Sequence, residues 1–287
     1  MFPSAHSLND IFTNEEACIE FLFLYEILYS LPKCLKCRKK TYRNKILWKC
    51  KDYNCNWSIS IYKDSIFTQS KLPAHRTMFV FYLWLAKCSS SSIELVTGHS
   101  SATISSILAT LHNMIYFNIT ENRVKIGGEG IIVEIDESKF GKRKYNRGHK
   151  VDGVWIVGGV ERTTLRRIFA EPVADRSPET LLKVIQDNIE PGSIIYSDLW
   201  RGYNDISRCL DMQHLTVNHS VNFVDPVTGV HTNMIEGSWN GIKIGIPARN
   251  YKKGKVENHI AEFIWKRQNE NDLWNAFLKV LGSTKFN

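Results

Sequence analysis

The sequence lacks any apolar run long enough to form a membrane-spanning helix. Its longest uninterrupted apolar stretch, Met78–Ala86, has nine residues, whereas a helix that crosses a bilayer needs about 18 to 20. The first residues also lack a charged segment followed by an apolar one, so we expect no secretory signal. These absences predict a protein without a membrane partner, located inside the cell and in the nucleus if the host is eukaryotic.

Cysteine usage argues against a disulfide framework. The chain has 7 cysteines among 287 residues, and an odd count with metal-like spacing fits a reducing compartment better than a secreted scaffold. Internal repeats and low-complexity tracts are absent as well. A hydrophobic content of 43% with 23% charged residues indicates a globular chain with one large core and one or two small modules.

Acidic residues are missing from three basic stretches. Residues 31–50 hold eight Lys or Arg, residues 139–150 hold six and residues 242–255 hold five, with no acid in any of them. The formal net charge is +8 and the pI is about 9.0. One such stretch could be a solvated loop, but three together favour an extended cationic surface that faces DNA or RNA.

Four of the cysteines have the spacing of a zinc site. Cys34 and Cys37 are separated by two residues, Cys50 and Cys55 by four, and the two pairs by twelve. Two thiolates on each of two tight turns supply the four tetrahedral ligands that structural zinc takes. The alternative is four incidental buried cysteines. Because the segment is rich in Lys and Arg, we expect it to contact nucleic acid, with Lys39 and Lys40 as candidate phosphate contacts.

Hydrophobic patterning divides the chain into four regions. Residues 1–30 predict an N-terminal helix with a capping box that begins at Thr13. Residues 31–68 form the predicted zinc ribbon, with strand-like alternation at Trp57–Tyr62. Residues 72–126 indicate helices, and the glycine cluster Gly127–Gly130 marks the main boundary. Residues 128–287 alternate strands and helices, which predicts a mixed α/β domain.

The helical region contains a possible helix-turn-helix. Gly98–Ser100 separates two helical patterns, and the second places Ile104, Ile107, Leu108 and Leu111 on one side. Such helix pairs also occur as plain packing units. The second pattern has no Arg or Lys before Arg123, which argues against strong base readout. DNA binding by this element therefore stays an open alternative.

Three carboxylates in the last region lie where metal chemistry would need them. Apolar strands at 131–135 and 193–196 are expected to lead directly into Asp136 and Asp198, so that both acids meet at one edge of a sheet. Glu236 lies in a predicted helix start whose buried side is Ile235, Trp239 and Ile242, with Lys243 two turns further on the same face. Carboxylate oxygens are the ligands that Mg²⁺ and Mn²⁺ prefer, although a strand-terminal Asp is often only a turn former.

Several blocks of this region, in order, resemble Merlin-type DNA transposases and their bacterial insertion-sequence relatives. The first catalytic block of that family resembles Glu134–Gly148, and its second strand resembles Gly158–Arg162. The later blocks correspond to Ser197–Tyr203, Val217–Pro226 and His231–Glu236. The resemblance runs from about residue 131 to 270, and the zinc ribbon upstream also fits the family.

The resemblance implies an RNase H-like fold and a triad of metal-binding acids at Asp136, Asp198 and Glu236. Lys243 matches the basic residue that follows the triad, and Asn233 is the alternative third member because some relatives carry Asn there. The implied cofactors are two Mg²⁺ or Mn²⁺ ions together with one structural Zn²⁺. Basic residues next to the first acid are the expected DNA contacts: Lys142, Arg143, Lys144 and Arg147.

The function that the resemblance implies is cut-and-paste transposition by a DNA transposase. Strand cleavage and strand transfer on double-stranded DNA would use two metal ions, and a homo-oligomer assembled on DNA is expected. One alternative is a domesticated, non-catalytic zinc-ribbon DNA-binding protein, and another is a nuclease of the same fold. His219 and His231 could contact a substrate phosphate or serve only the structure.

Overall fold

The computed structural model describes residues 2–68, 70–141, 153–246 and 254–286. Contacts within the chain divide it into two units, of which the first comprises Met1–Met114 with Asn269–Asn287 and the second Ile115–Gln268. The division falls within a single long helix, α5, at Ser101–Glu121. None of the described helices is long and apolar enough to span a membrane.

The first unit is mainly helical. Besides the start of α5, its helices are α1 (Asn9–Thr13), α2 (Glu15–Leu24), α3 (Ala74–Leu85), α4 (Ser90–Thr97) and α10 (Leu273–Ser283). The single N-terminal helix that we predicted is thus two helices, α1 and α2. The predicted cap at Thr13 is wrong by one residue. Asn14 accepts the backbone N–H groups of Glu16 and Ala17, whereas Thr13 closes α1. An Asn side chain reaches these N–H groups as readily as Thr does.

Aromatic contacts bring the C-terminal helix into the first unit. Tyr82 of α3 packs edge-to-face against Trp274 of α10 with 6.0 Å between ring centroids, and Phe81 packs in the same way against Phe277 at 5.5 Å. We expected the α/β domain to extend to residue 287, but α10 groups instead with α1–α4. A pattern of periodic apolar residues identifies such a helix without identifying the surface against which it packs.

A small antiparallel sheet lies between α2 and α3 in the sequence. It consists of β1 (Thr41–Asn44), β2 (Leu47–Cys50) and β3 (Ser58–Ser60) in that order. The alternation at residues 57–62 corresponds to β3, which pairs Ile59 with Trp48. The predicted helix pair around Gly98 is present too. Gly98 has φ +68°, a left-handed conformation that ends α4 without strain. Ile104, Leu108 and Leu111 are buried as expected, whereas Ile107 is only half-buried.

The second unit is built on a mixed five-stranded sheet. Its strands are β5 (Ile132–Phe140), β6 (Val154–Glu161), β7 (Ile168–Val173), β9 (Ile194–Asp198) and β10 (Gln213–Val217). Their order is β7-β6-β5-β9-β10, with β6 antiparallel to both neighbours and the other pairs parallel. This order and these directions are those of the RNase H-like fold, as predicted. A separate parallel pair joins β4 (Ile126–Gly127) to β8 (Ile189–Glu190).

Helices cover both faces of this sheet. They are α6 (Pro178–Asn188), α7 (Ile206–Leu210), α8 (Asn233–Gly245) and α9 (Val256–Gln268), with a 3-10 turn at Arg201–Tyr203. Ile135 and Leu181 belong to the core beneath α6 and α7. Ile156, Trp239 and Ile260 belong to the core beneath α8 and α9. The alternation of β5 therefore sends odd-numbered side chains to one core and even-numbered ones to the other.

Two strands differ from the sequence-based expectation. β5 was expected to end before Asp136 but continues to Phe140, because its antiparallel pairing with β6 extends through Phe140 and Val154. Its parallel pairing with β9 does stop near Asp136, at Glu134 and Tyr196. β10 was not predicted, since its polar residues Gln213, His214 and Thr216 break the apolar run that marks a buried strand.

Candidate active site

The first two acids lie level with each other on neighbouring parallel strands. Glu134 of β5 is the register partner of Tyr196 of β9, and each acid, Asp136 or Asp198, lies two residues further along its strand. Side chains two residues apart share a face of a strand. Both carboxylates therefore project from the face of the sheet that α8 and α9 cover, at the point where the ladder between β5 and β9 ends.

Asp136 is held by a residue that the sequence did not single out. Trp239 of α8 donates its indole Nε1–H to Oδ2 of Asp136 at 2.9 Å. Burial raises the pKa of Asp136 to about 7, and the negative charges of Glu137 and Asp198 act in the same direction. The indole donor opposes that rise. We had assigned Trp239 only to the core. A buried indole N–H needs a hydrogen-bond acceptor, and this is the signal that could have indicated its contact with an acid.

Lys243 lies near the same carboxylate. Burial lowers the pKa of the Lys243 ammonium, and the charge of Asp136 opposes that shift. Its Nζ lies 5.3 Å from the ring centroid of Phe140, at the end of β5. The structure thus brings Lys243 toward Asp136, which matches the position that the sequence assigned to it.

Glu236 lies on the exposed side of α8 and contacts the loop before it. Oε1 of Glu236 accepts the hydroxyl of Thr232 at 3.3 Å and lies 3.6 Å from Nε2 of His219. At about 100° per residue, Glu236 is only ~20° from Lys243 around the helix, whereas Asn233 is ~80° away. Glu236 is therefore closer than Asn233 to the side of α8 that carries Lys243, while its own contacts are those with Thr232 and His219.

A buried ion pair fastens this helix to the sheet. Glu134 is completely buried and accepts the backbone N–H groups of Met234 and Ile235, the first turn of α8, at 2.8 and 3.1 Å. Its other oxygen accepts Nε of Arg162 at 2.7 Å. Sequence reasoning missed both residues. The available signal was an ionisable side chain inside an otherwise apolar strand, which is rarely tolerated unless it is paired.

The opposite face of the sheet carries a second acid beside Asp136. Glu137 accepts the hydroxyl of the buried Tyr203 at 2.6 Å and lies 3.2 Å from a guanidinium nitrogen of Arg176. The Arg176 guanidinium also stacks between the rings of Trp155 and Trp200, at 3.9 and 4.4 Å from their centroids. The charge of Glu137 is therefore balanced by the Arg176 guanidinium, and we interpret Glu137 as a structural acid rather than a metal ligand.

The four cysteines of the ribbon form one cluster. Their sulfur atoms all lie within 4.8 Å of one another, with Cys34 3.8 Å from Cys55 and Cys37 3.4 Å from Cys50. Tetrahedral zinc with Zn–S bonds of about 2.3 Å places its sulfurs about 3.8 Å apart. Backbone N–H groups of Lys36 and Asp52 point at the sulfurs of Cys34 and Cys50. The cluster fits the predicted zinc ribbon.

Two of the predicted DNA contacts lie on the ribbon. Lys39 and Lys40 are exposed on the ribbon, and Lys39 pairs with Asp52 at 2.6 Å. An exposed ion pair of this kind is weak, so a DNA phosphate could replace Asp52 as the partner of Lys39. Lys142, Arg143, Lys144 and Arg147 lie outside the described residues.

Comparisons with known proteins identify the family of this chain. A family model described as the ISXO2-like transposase domain matches residues 125–268, half of the chain. A Haemophilus influenzae protein described as an uncharacterized transposase-like protein is 28% identical over 104 residues, which cover 36% of this chain and 82% of that protein.

Two solved structures show a distant likeness. The catalytic core domain of BIV integrase shares 12% identity at a TM-score of 0.33, covering 47% of this chain and 81% of that one. The HTLV-2 integrase catalytic core domain, solved in complex with magnesium, shares 13% identity at a TM-score of 0.29, covering 50% and 87%. These scores are low, and the assignment of the fold rests on the order and directions of the strands. The match over half of the sequence places the chain in the family of ISXO2-like transposase domains.

Proposed function

We propose that this chain is a DNA transposase in which Asp136, Asp198 and Glu236 hold divalent metal ions for strand cleavage and strand transfer. The observation that supports the proposal is the level placement of Asp136 and Asp198 on one face of the sheet. Mutual repulsion and burial disfavour ionisation of Asp136 in the absence of a cation, as its pKa of about 7 indicates. A site of this kind favours a divalent cation, which restores the balance of charge.

The donor set fits Mg²⁺ or Mn²⁺, which take carboxylate oxygens. Asp136 and Asp198 would bind from the two strands and Glu236 from α8. When bound, a pair of such ions activates an attacking oxygen and stabilises the leaving oxygen of a phosphodiester. The chain orients the ligands, since Trp239 fixes one oxygen of Asp136 and the backbone N–H of Trp200 donates to Oδ1 of Asp198 at 2.9 Å.

Lys243 is proposed as a phosphate contact. Its half-buried ammonium is one helical turn beyond Trp239 and close to Asp136. A cation at that place would attract the scissile phosphate and partly offset the repulsion between phosphate and carboxylates.

Double-stranded DNA is the proposed partner. The ribbon would hold one structural zinc ion and present Lys39 and Lys40 to the phosphate backbone. Cut-and-paste transposition joins two transposon ends to a target, so assembly of two or more chains on DNA is part of the same proposal.

Single-turnover cleavage and joining of DNA that carries the terminal repeats of the element tests the proposal. In Mg²⁺ or Mn²⁺ we expect wild type to nick and join, and Asp136→Asn, Asp198→Asn and Glu236→Gln to lose at least about 100-fold in rate. Each variant should still bind the DNA in a mobility-shift assay. Asn233→Ala and the exposed Asp187→Asn serve as controls and should remain active.

Three results would contradict the proposal in different ways. Loss of activity in Asn233→Ala but not in Glu236→Gln would transfer the third ligand to Asn233. Binding of DNA without any metal-dependent cleavage by wild type would favour a domesticated, non-catalytic DNA-binding protein. Nicking without joining would favour a nuclease of the same fold.

A further inference from the structure

Arg162 occupies a central place in the second unit. It follows β6 directly, and its backbone N–H donates to the carbonyl of Ile132 at 2.8 Å. Its side chain is mostly buried, with 20% of its surface exposed. A guanidinium in such a place needs several acceptors, because its five N–H donors would otherwise lose their hydrogen bonds to water.

The partners of Arg162 come from β5, from β9 and from the segment that leads into α8, and each of these lies close in sequence to one proposed metal ligand. Its Nε donates to Glu134, two residues before Asp136. Its guanidinium carbon lies 4.8 Å from the ring centroid of Tyr196, two residues before Asp198. Its Nη2 donates to the carbonyl of His231 at 2.9 Å, in the segment that leads into α8.

His231 completes the attachment of that segment. Nη2 of Arg162 lies 2.7 Å from Nδ1 of His231. Since a guanidinium can only donate, Nδ1 accepts and the ring proton is on Nε2. His231 is therefore joined to this network through both its ring and its backbone carbonyl.

Glu134 links the Arg162 guanidinium to helix α8 itself. While Oε1 accepts from Arg162, Oε2 accepts the N–H groups of Met234 and Ile235. A carboxylate at the N-terminus of a helix satisfies donors that have no partner within the helix and interacts favourably with the helix dipole. Here the capping carboxylate comes from β5 rather than from the chain before the helix, so it fixes α8 against the strand of Asp136.

We infer that Arg162 and Glu134 are positioning residues that hold β5, β9 and the start of α8 in the register at which the three acids converge. The inference rests on the proposed function, because it treats Asp136, Asp198 and Glu236 as one metal site. Neither residue touches substrate or metal in this scheme. Displacing α8 by about an ångström would move Glu236 relative to the aspartates and weaken the ion site.

The chain offers a closely matched control. Glu161 is also completely buried, and it accepts Nε of Arg167 at 2.9 Å and the backbone N–H of Gly127 at 3.0 Å. Thr163 donates its hydroxyl to the same carboxylate at 2.7 Å. The pair Glu161–Arg167 thus has the chemistry and the burial of Glu134–Arg162, but within the described residues its hydrogen bonds do not reach α8.

The experiment compares Glu134→Asp and Arg162→Lys with Glu161→Asp and Arg167→Lys in the full-length protein. Each substitution keeps the charge and shortens or simplifies the contact. Mn²⁺ binding is measured by electron paramagnetic resonance, and Asp136→Asn shows which binding belongs to the acids. Hydrogen exchange of residues 233–240 reports on α8, and thermal unfolding verifies that each variant folds.

We expect Glu134→Asp and Arg162→Lys to weaken Mn²⁺ binding by about 10- to 100-fold and to speed exchange in the first turn of α8. Raised Mn²⁺ should restore cleavage in Arg162→Lys and should fail to do so in Asp136→Asn. Glu161→Asp and Arg167→Lys should lose comparable thermal stability, yet keep wild-type Mn²⁺ binding and α8 exchange.

Equal Mn²⁺ binding in the two sets of variants would overturn the inference and leave the proposed function standing if wild type cleaves DNA. Mn²⁺ binding that depends on Asp136 and on Arg162, in a protein that cleaves no DNA, would support the positioning role and contradict the proposed enzyme. Absence of any Mn²⁺ binding that depends on Asp136 would contradict both.

Discussion

At the scale of single residues, Asp136 carries the clearest electrostatic signature of the site. Its carboxyl is half-buried next to two other acids, and its pKa rises from an ordinary value of 3.8 to about 7. Between these two values the folded protein keeps a proton that the unfolded chain releases. Folding stability without bound metal therefore falls as the pH rises from about 4 to about 7.

Asp136→Asn should remove this penalty. In buffer without Mg²⁺ or Mn²⁺ we expect the variant to match wild type near pH 4 and to be more stable near pH 8, by up to about 4 kcal/mol. Urea unfolding at both values measures the difference, with the exposed Asp187→Asn as a control that should show no such dependence. An equal gain at both pH values would mean that the proton is not held at Asp136.

At the scale of secondary-structure elements, a close approach between β6 and α8 sets the position of Trp239. A Cβ atom added at Gly158 would lie 2.6 Å from Cη2 of Trp239 and 2.9 Å from the carbonyl of Phe169. Neither neighbour is the loose end of a flexible chain, since one is a packed indole and the other is backbone. Glycine is therefore required at position 158 because a Cβ atom would clash there, and not because of its backbone angles.

Gly158→Ala should destabilise the fold by about 1–3 kcal/mol and disturb the hydrogen bond from Trp239 to Asp136. Gly237→Ala is the matched control, because nothing lies within 4 Å of its added Cβ and alanine favours a helix by about 0.5–1 kcal/mol. Chemical denaturation of both variants gives the comparison. A Gly158→Ala protein as stable as wild type would show that α8 can move away at little cost.

The ribbon gives a second prediction at this scale. Cys37→Ser removes one of four clustered sulfurs and should lower the zinc content of the purified protein from about one ion per chain toward zero. Cys209→Ser alters an exposed cysteine on α7 and should leave the zinc content unchanged. Metal analysis after dialysis is the measurement. Full zinc occupancy in Cys37→Ser would exclude that cysteine as a ligand.

The secondary-structure elements also show which structural features a local sequence pattern can predict. Strands β6 and β7, helix α6 and the buried side of α8 follow from apolar periodicity and from the Ser177-Pro178 helix start, where the Ser177 side chain accepts the backbone N–H of Thr180. The extension of β5 past Asp136 depends on a partner strand, and α5 is far longer than the pattern around Gly98 indicated. Length set by tertiary pairing is not encoded in a local run of residues.

At the scale of the whole molecule, the candidate site was only partly predictable for a related reason. Asp136 and Asp198 each come after an apolar run, so their placement side by side is a consequence of the parallel pairing of β5 with β9. The orientation of Glu236 depends on Glu134, about a hundred residues earlier, through hydrogen bonds to Met234 and Ile235. A contact between such distant positions leaves no periodic trace in the sequence, and the same holds for the grouping of α10 with the first unit.

Anomalous diffraction from crystals soaked in MnCl₂ can show whether Asp136, Asp198 and Glu236 form one divalent-metal site. We expect an anomalous peak within about 2.0–2.3 Å of carboxylate oxygens of both aspartates, and a Mn²⁺ ion bound by Glu236 in the complex with DNA. Asp198→Asn crystals should lack the first peak. Manganese bound elsewhere, with neither aspartate as a ligand, would show that the two aspartates do not form the metal site.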